Sequence, residues 1–259
     1  MAERTFLGTM RLALLVFLLV FVALGAWLDR RRSHAWDRTL RVTVYPVSVG
    51  AAPVGCAAAV TAADFDDATE FLRAQAATYG VALDVPVNFS VSHAAKEPPP
   101  ELSAAPGPLA IAYWSLRTRW WARRVAFHDP LPKPDVQVFA VYHADDGQQA
   151  APDSTGLSKG LIAVAHLFCG PDAVSGNALV VTHELLHTLG ASDKYDRATG
   201  QPVAPDGLGS PAQSPLYPQR TGEIMAGRIA VSPANAVIPG SLRDMVVGPA
   251  TAREIGWSR

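Results

Sequence analysis

Residues 183–193 read His183-Glu184-Leu185-Leu186-His187-Thr188-Leu189-Gly190-Ala191-Ser192-Asp193. His183 and His187 are four apart, so a helix carries both imidazoles on one face, one turn apart. The run Asn177-Ala178-Leu179-Val180-Val181-Thr182 predicts a helix leading into the motif. Gly190 predicts its end, because glycine takes the positive φ of a helix cap without steric cost. Leu185, Leu186 and Leu189 supply the core side of that helix. Glu184 stands beside the two imidazoles. Two neutral imidazoles, a carboxylate acting as general base and one coordination position left for water are what zinc-assisted hydrolysis requires. Asp193 arrives six residues after His187, where a third ligand is needed, and a carboxylate oxygen is an acceptable zinc ligand. A bare HExxH is a short pattern that also arises by chance. The helix signal, the glycine and the downstream carboxylate set this one apart.

Taken together, these residues resemble the metzincin metallopeptidases, whose pattern is HExxHxxGxxH/D. The last position here is Asp193, the form found in a minority of that family. The family also carries a turn with a methionine, and Ile224-Met225-Ala226-Gly227, preceded by Glu223, matches it. The resemblance implies that Met225 packs beneath the metal as a soft apolar base without ligating it. It extends from about Leu161 to Trp257 and implies a strand, the active-site helix, a loop, the methionine turn and a C-terminal helix. It further implies that the strand Leu161–Phe168 lines the cleft and takes up a peptide by strand addition. The loop from Tyr195 to Glu223 matches no subfamily, so substrate class does not carry over. Asp196 and Glu223 compete with Asp193 for the third ligand position, Glu223 in the manner of thermolysin-like zincins. Tyr195 is a candidate donor to an oxyanion, and His166 a candidate hydrogen-bond partner behind the ligands. Plain packing is the alternative for both.

Elsewhere strands and helices alternate, which predicts the α/β class with a mixed sheet. Leu40 to Val49 is rich in β-branched residues and reads as a strand. Asp64 to Gly80 carries an apolar stripe at helical spacing, capped near Thr61 or Asp64. Val85 to Val91 reads as a second strand, with Pro86 pointing to a sheet edge. Pro98 to Pro108 is too proline-rich for either element. Leu109 to Phe127 holds Trp114, Trp120, Trp121 and four arginines, and reads as a strand running into a helix. Its functional reading is a membrane-facing or nucleic-acid-binding patch. Its plain reading is arginine stems packed over tryptophan rings. Val136 to His143 and Leu161 to Phe168 are two more strands, and Pro249 opens a short C-terminal helix anchored by Ile255 and Trp257.

Leu12 to Leu28 is a run of 17 residues without a charge, followed by Asp29 and three arginines. A bilayer-spanning helix needs about 17–25 mainly apolar residues, so residues 12–28 are expected to sit in the lipid bilayer as a transmembrane helix. A cleaved signal peptide is the alternative. Residues 1–32 then form a membrane anchor with its basic flank, and residues 33–259 the catalytic domain. Basic residues lie on both sides of the span, so orientation stays open, with a lean toward an exported domain. The formal net charge of −1 excludes a strongly basic nucleic-acid binder, and no nucleic acid is expected. Cys56 and Cys169 are the two cysteines: one disulfide in an exported domain, two buried thiols in a cytoplasmic one.

The expectation is therefore a membrane-anchored, zinc-dependent peptidase acting on a peptide or protein substrate. His183, His187 and Asp193 hold Zn²⁺, and Glu184 is the general base. The alternatives are a non-catalytic zinc-containing binding protein and a zinc hydrolase of a non-peptide amide.

Overall fold

The computed structural model describes residues 34–102, 107–144, 155–157 and 161–258, and a few isolated positions before residue 34. Most of the span expected at residues 12–28 lies outside the described residues. Among the described residues, no helix is long and apolar enough to cross a membrane.

Five strands build the main sheet: β1 (Leu40–Ser48), β2 (Val87–Val91), β3 (Val136–His143), β4 (Thr155–Leu157) and β5 (Ile162–Phe168), in the spatial order β2-β1-β3-β5-β4. The first four neighbours run parallel, and β4 pairs antiparallel to β5. Parallel strands covered on both faces read as near-continuous apolar runs, and β1 and β3 do so. Their alternating side chains divide into two cores. Val42, Val44, Val138, Ala140 and Leu167 face one way; Tyr45, Phe139, Val141 and Val164 face the other.

The first core is covered by two helices, α2 (Asp66–Thr78) and α4 (Val174–Thr188), through Phe71, Leu72, Leu185 and Leu186. Thr61 and Asp64 form a capping box at the 3-10 turn that leads into α2, the Asp64 carboxylate accepting from the Thr61 amide at 2.7 Å. The second core is covered by α3 (Pro108–Phe127), which lays Trp121 on Phe139 with ring centroids 4.4 Å apart.

Two expectations need correction here. Leu109 to Phe127 forms one helix with no strand. Proline at its first position and the helix-forming Ala110, Ala112, Leu116 and arginines favour it, and no β-branched run opposes it. The strand β5 is not a free edge either, because β4 pairs with it at Ile162–Val164. That position of the sheet edge belongs to β4.

A short helix α1 (Cys56–Ala59) is tied to the end of β5 by a disulfide between Cys56 and Cys169, with Cα atoms 6.0 Å apart. It closes a loop with a sequence separation of 113 residues. Cross-links of that span constrain the unfolded chain strongly. Reduction, or Cys169→Ala, is expected to remove about 2–5 kcal/mol of stability. Thermal unfolding with and without reductant measures this, and an unchanged Tm would contradict it.

After α4 the described residues add only short pieces: β6 (Gly222–Glu223), β7 (Ile229–Ala230), β8 (Ala236–Val237), β9 (Met245–Val246) and α5 (Pro249–Glu254). Trp36 and Trp257 meet edge to face at 5.6 Å, and the Trp36 indole donates to the Ile255 carbonyl. His34 Nε2 lies 2.6 Å from the Leu189 carbonyl. The residues that follow the basic flank are thus packed onto the end of α4 and the start of the C-terminal tail.

Candidate metal centre

The helix α4 is fixed at both ends. Asn177 clamps the end of β5, its side chain accepting from the Phe168 amide and donating to the Phe168 carbonyl. At the far end Gly190 takes φ 103°, and the Ala191 amide donates back to the Leu186 carbonyl at 3.0 Å. That six-to-one bond is the Schellman closure of a helix, and it needs the left-handed residue that glycine provides. The turn delivers the next two groups of the site.

The first is the Ala191 carbonyl, 2.8 Å from His187 Nδ1. His183 Nδ1 likewise meets the Ile224 carbonyl at 2.9 Å. A carbonyl only accepts, so each Nδ1 carries the hydrogen and each Nε2 presents a lone pair. Those two Nε2 atoms stand 3.0 Å apart. The second group is Asp193, whose Oδ1 lies 2.9 Å from His187 Nε2 and 3.5 Å from His183 Nε2. With both Nε2 atoms unprotonated, buried Asp193 Oδ1 has no hydrogen-bond partner among the described residues. Three lone pairs therefore face a common point. A single proton relieves one such pair, whereas a cation at the centre relieves all three. Tetrahedral zinc with nitrogen and oxygen ligands at their usual distances gives ligand–ligand edges of about 3.3–3.5 Å, so the three atoms fit one face of such a site slightly compressed.

Glu184 joins the cluster: one ligand atom each from His183, Glu184 and His187 lies within 4.8 Å of the others. Among the described residues its buried Oε2 has no hydrogen-bond partner, and burial pushes its carboxyl up to about 7. A general base works best with a pKa near the working pH. Burial also acts on the imidazoles. It holds His187 down, helped by the neighbouring His183, while at His183 the acids Asp193 and Glu184 outweigh burial and raise it. Contact with the His183 imidazole, then His187 and Arg197, holds Asp193 well below the usual carboxylate range.

The remaining Asp193 oxygen, Oδ2, accepts from exposed Arg197 at 3.1 Å. Its loop is clamped from below. The Lys194 amide donates to the Met225 carbonyl, and Lys194 Nζ reaches both Glu254 oxygens at 2.8 Å. The Ser192 amide donates to the same carboxylate.

Met225 is fully buried in the turn that follows β6. The turn acts through its backbone: Ile224 accepts from His183 and Met225 from Lys194. Glu223 holds the turn together. It is fully buried; Oε2 accepts from the Met225 and Ala226 amides, and Oε1 from the Gly248 amide and the Thr251 hydroxyl. Burial pushes its pKa up, and those donors oppose the rise by favouring the carboxylate.

Glu223 is thus occupied as a brace, which answers its candidacy as third ligand. Asp196 is occupied too: its Oδ1 accepts from the Ala198 and Thr199 amides and caps a turn. Tyr195 pairs through its backbone with Pro202. For His166 the packing reading holds, and its candidacy as a partner behind the ligands is corrected. Odd and even positions of a strand face opposite ways, and His166 falls on the α3 side of β5, away from the Leu167 face that packs against α4. There its Nδ1 lies 2.9 Å from His143 Nε2, at the wall of a cavity of about 330 Å³ that also touches Trp114.

Two supports of the site were not foreseen from sequence: Glu223 as brace and the Lys194–Glu254 clamp. The first left a signal, an acid set between Gly222 and the apolar Ile224-Met225-Ala226. The second left none, because its partners are 60 residues apart.

No protein-family model matches the chain. No curated protein matches it. Among solved structures it is similar to the crystal structure of wild type OgpA from Akkermansia muciniphila, at 12% identity and a TM-score of 0.42, over 85% of this chain and 62% of that one. The chain spans less than two thirds of that structure's length. A likeness of this degree adds nothing to the geometry above.

Proposed function

We propose that the chain is a zinc-dependent peptidase of the metzincin type, in the variant with an aspartate as third ligand. The observation that carries this is the convergence of His183 Nε2, His187 Nε2 and Asp193 Oδ1 on one point, with edges of 2.9, 3.0 and 3.5 Å. Gly190 and the turn at Met225 support the family reading, since both occupy the places that the motif requires. Bound zinc supplies Lewis acidity toward a substrate carbonyl. Glu184 Oε2, buried and without a partner among the described residues, takes the proton from the attacking water and returns it to the leaving amine. His183 and His187 are held in orientation, with Nε2 turned to the metal, because their Nδ1 hydrogens are spent on the Ile224 and Ala191 carbonyls.

The proposal places residues 12–28 in a bilayer, on the strength of their 17 uncharged positions. The Cys56–Cys169 disulfide supports an exported domain, because such bonds persist in oxidising compartments.

The test combines metal analysis with digestion of a peptide library. The purified chain is expected to hold one zinc per molecule. Glu184→Gln is expected to keep the zinc and lose activity by about 10²–10⁴-fold, the usual range for a general base. Wild-type protein that takes up no zinc would end the proposal. Zinc-loaded protein that cleaves no peptide would favour a binding protein.

A further inference from the structure

The helix α3 has two apolar faces. One, with Trp121, Ala122 and Val125, packs on the sheet. The other is in solvent. Leu109, Tyr113, Leu116, Trp120 and Phe127 are 87%, 68%, 66%, 60% and 85% exposed. Their spacings of four, three, four and seven residues place all five within about 40° of one line along the helix, given 3.6 residues per turn. Arg117 and Arg124 flank that line on one side and Arg123 on the other. Arg124 stacks on Trp120 at 4.8 Å. The helix carries four arginines and no acid. A helix that serves only to cover a sheet has a polar outer face.

We propose that this outer stripe of α3 lies in the interface of an anionic lipid bilayer. An apolar line with tryptophan and tyrosine, bordered by arginines, is the pattern of helices that rest in the headgroup layer. The absence of acids suits anionic headgroups and opposes nucleic-acid readout less than it favours lipid, because the centre of the patch is apolar and phosphate backbones bind to charge. The chain itself supplies the bilayer. This step rests on the reading of residues 12–28 as an anchor. Five residues separate Leu28 from His34, a reach of roughly 20 Å. His34 leads directly to the start of β1, where Arg38 pairs with Asp135 at 2.8 Å. Asp135 is the residue before β3, and α3 ends a few residues earlier at Phe127. The tether and the Phe127 end of α3 thus lie at the same end of the sheet, with His34 on the α4 side of it.

The chain's two cysteines are joined to each other, so one introduced cysteine takes a spin label selectively. Full-length Leu116→Cys, Val20→Cys and Ala74→Cys are each labelled and reconstituted into phosphatidylcholine vesicles containing phosphatidylserine. Collision with dissolved oxygen reports lipid, and collision with a water-soluble nickel chelate reports water. Ala74, exposed on α2 at the opposite face of the sheet, is the water control. Labels at 20 and 116 are expected in lipid and the label at 74 in water. Adding Arg117→Glu, Arg123→Glu and Arg124→Glu is expected to return position 116 to water and leave position 20 in lipid. Position 116 in water with position 20 in lipid would overturn the proposal and spare the anchor. Position 116 shielded from both reagents would overturn it in favour of a protein cover, either a second copy or residues 12–28. Position 20 in water with 116 in lipid would uphold the proposal and end the anchor.

Discussion

Glu223→Ala is expected to be the most damaging single change to the fold, at about 3–5 kcal/mol, the range for breaking a buried charged network. The carboxylate receives four donors; truncation strands the Met225 and Gly248 amides and the Thr251 hydroxyl in the interior, while the Ala226 amide keeps the Glu223 backbone carbonyl at 3.0 Å. An unsatisfied buried donor costs about 1–3 kcal/mol. For a domain of this size the loss corresponds to a Tm lower by roughly 6–20 °C. The consequence reaches the metal centre, because the same turn presents the Ile224 carbonyl to His183. Zinc affinity is expected to fall with it by about 10–100-fold, as when an outer partner of a ligand is removed. Glu223→Gln keeps the volume and one acceptor oxygen, but turns an amide group toward amide donors. Its Tm is expected between wild type and Glu223→Ala. Melting of the metal-free proteins separates the fold effect from the metal effect. A metal-free Glu223→Ala protein that melts within 2 °C of wild type would refute the bracing role.

The legible parts of this protein are those written in short-range spacing. The pair His183–His187 needs only a helix to meet. Gly190 marks the helix end by its own chemistry, and Asp193 follows within one turn of chain. Strands β1, β2, β3 and β5 show as β-branched runs, and Pro86 points correctly to β2 at the edge. What spacing does not encode is which face of a strand a residue will present in the assembled sheet. His166 sits one position from Leu167, and that single step sends it away from α4. Nor does local sequence show that β4, three residues of no strong strand character, covers one side of β5. Leu109–Phe127 misled for a related reason. Its apolar residues serve two faces of one helix, so no single amphipathic period dominates.

The choice among three acids for the third ligand carries the second large expected effect. Asp193→Ala is expected to weaken zinc binding by more than about 100-fold, beyond the range for removing an outer partner. Asp196→Ala is expected to leave affinity unchanged, since Asp196 only caps a turn on the surface. Arg197→Ala is expected to change it little, because exposed ion pairs are worth about 0–1 kcal/mol. Stability supplies an independent reading of opposite sign. In metal-free wild type with both imidazoles neutral, Asp193 Oδ1 faces two imidazole lone pairs at 2.9 and 3.5 Å, with no hydrogen-bond partner among the described residues. Removing the carboxylate relieves that repulsion when the imidazoles are neutral. Metal-free Asp193→Ala is therefore expected to melt no lower than metal-free wild type at mildly alkaline pH. With zinc at 1,000 times its Kd, wild type gains about 4 kcal/mol from binding alone, and the variant gains far less. The order of the two melting curves is expected to reverse on adding zinc. A residue that merely supports the loop would lower the melting temperature in both states, and a variant that does so would remove Asp193 from the ligand set.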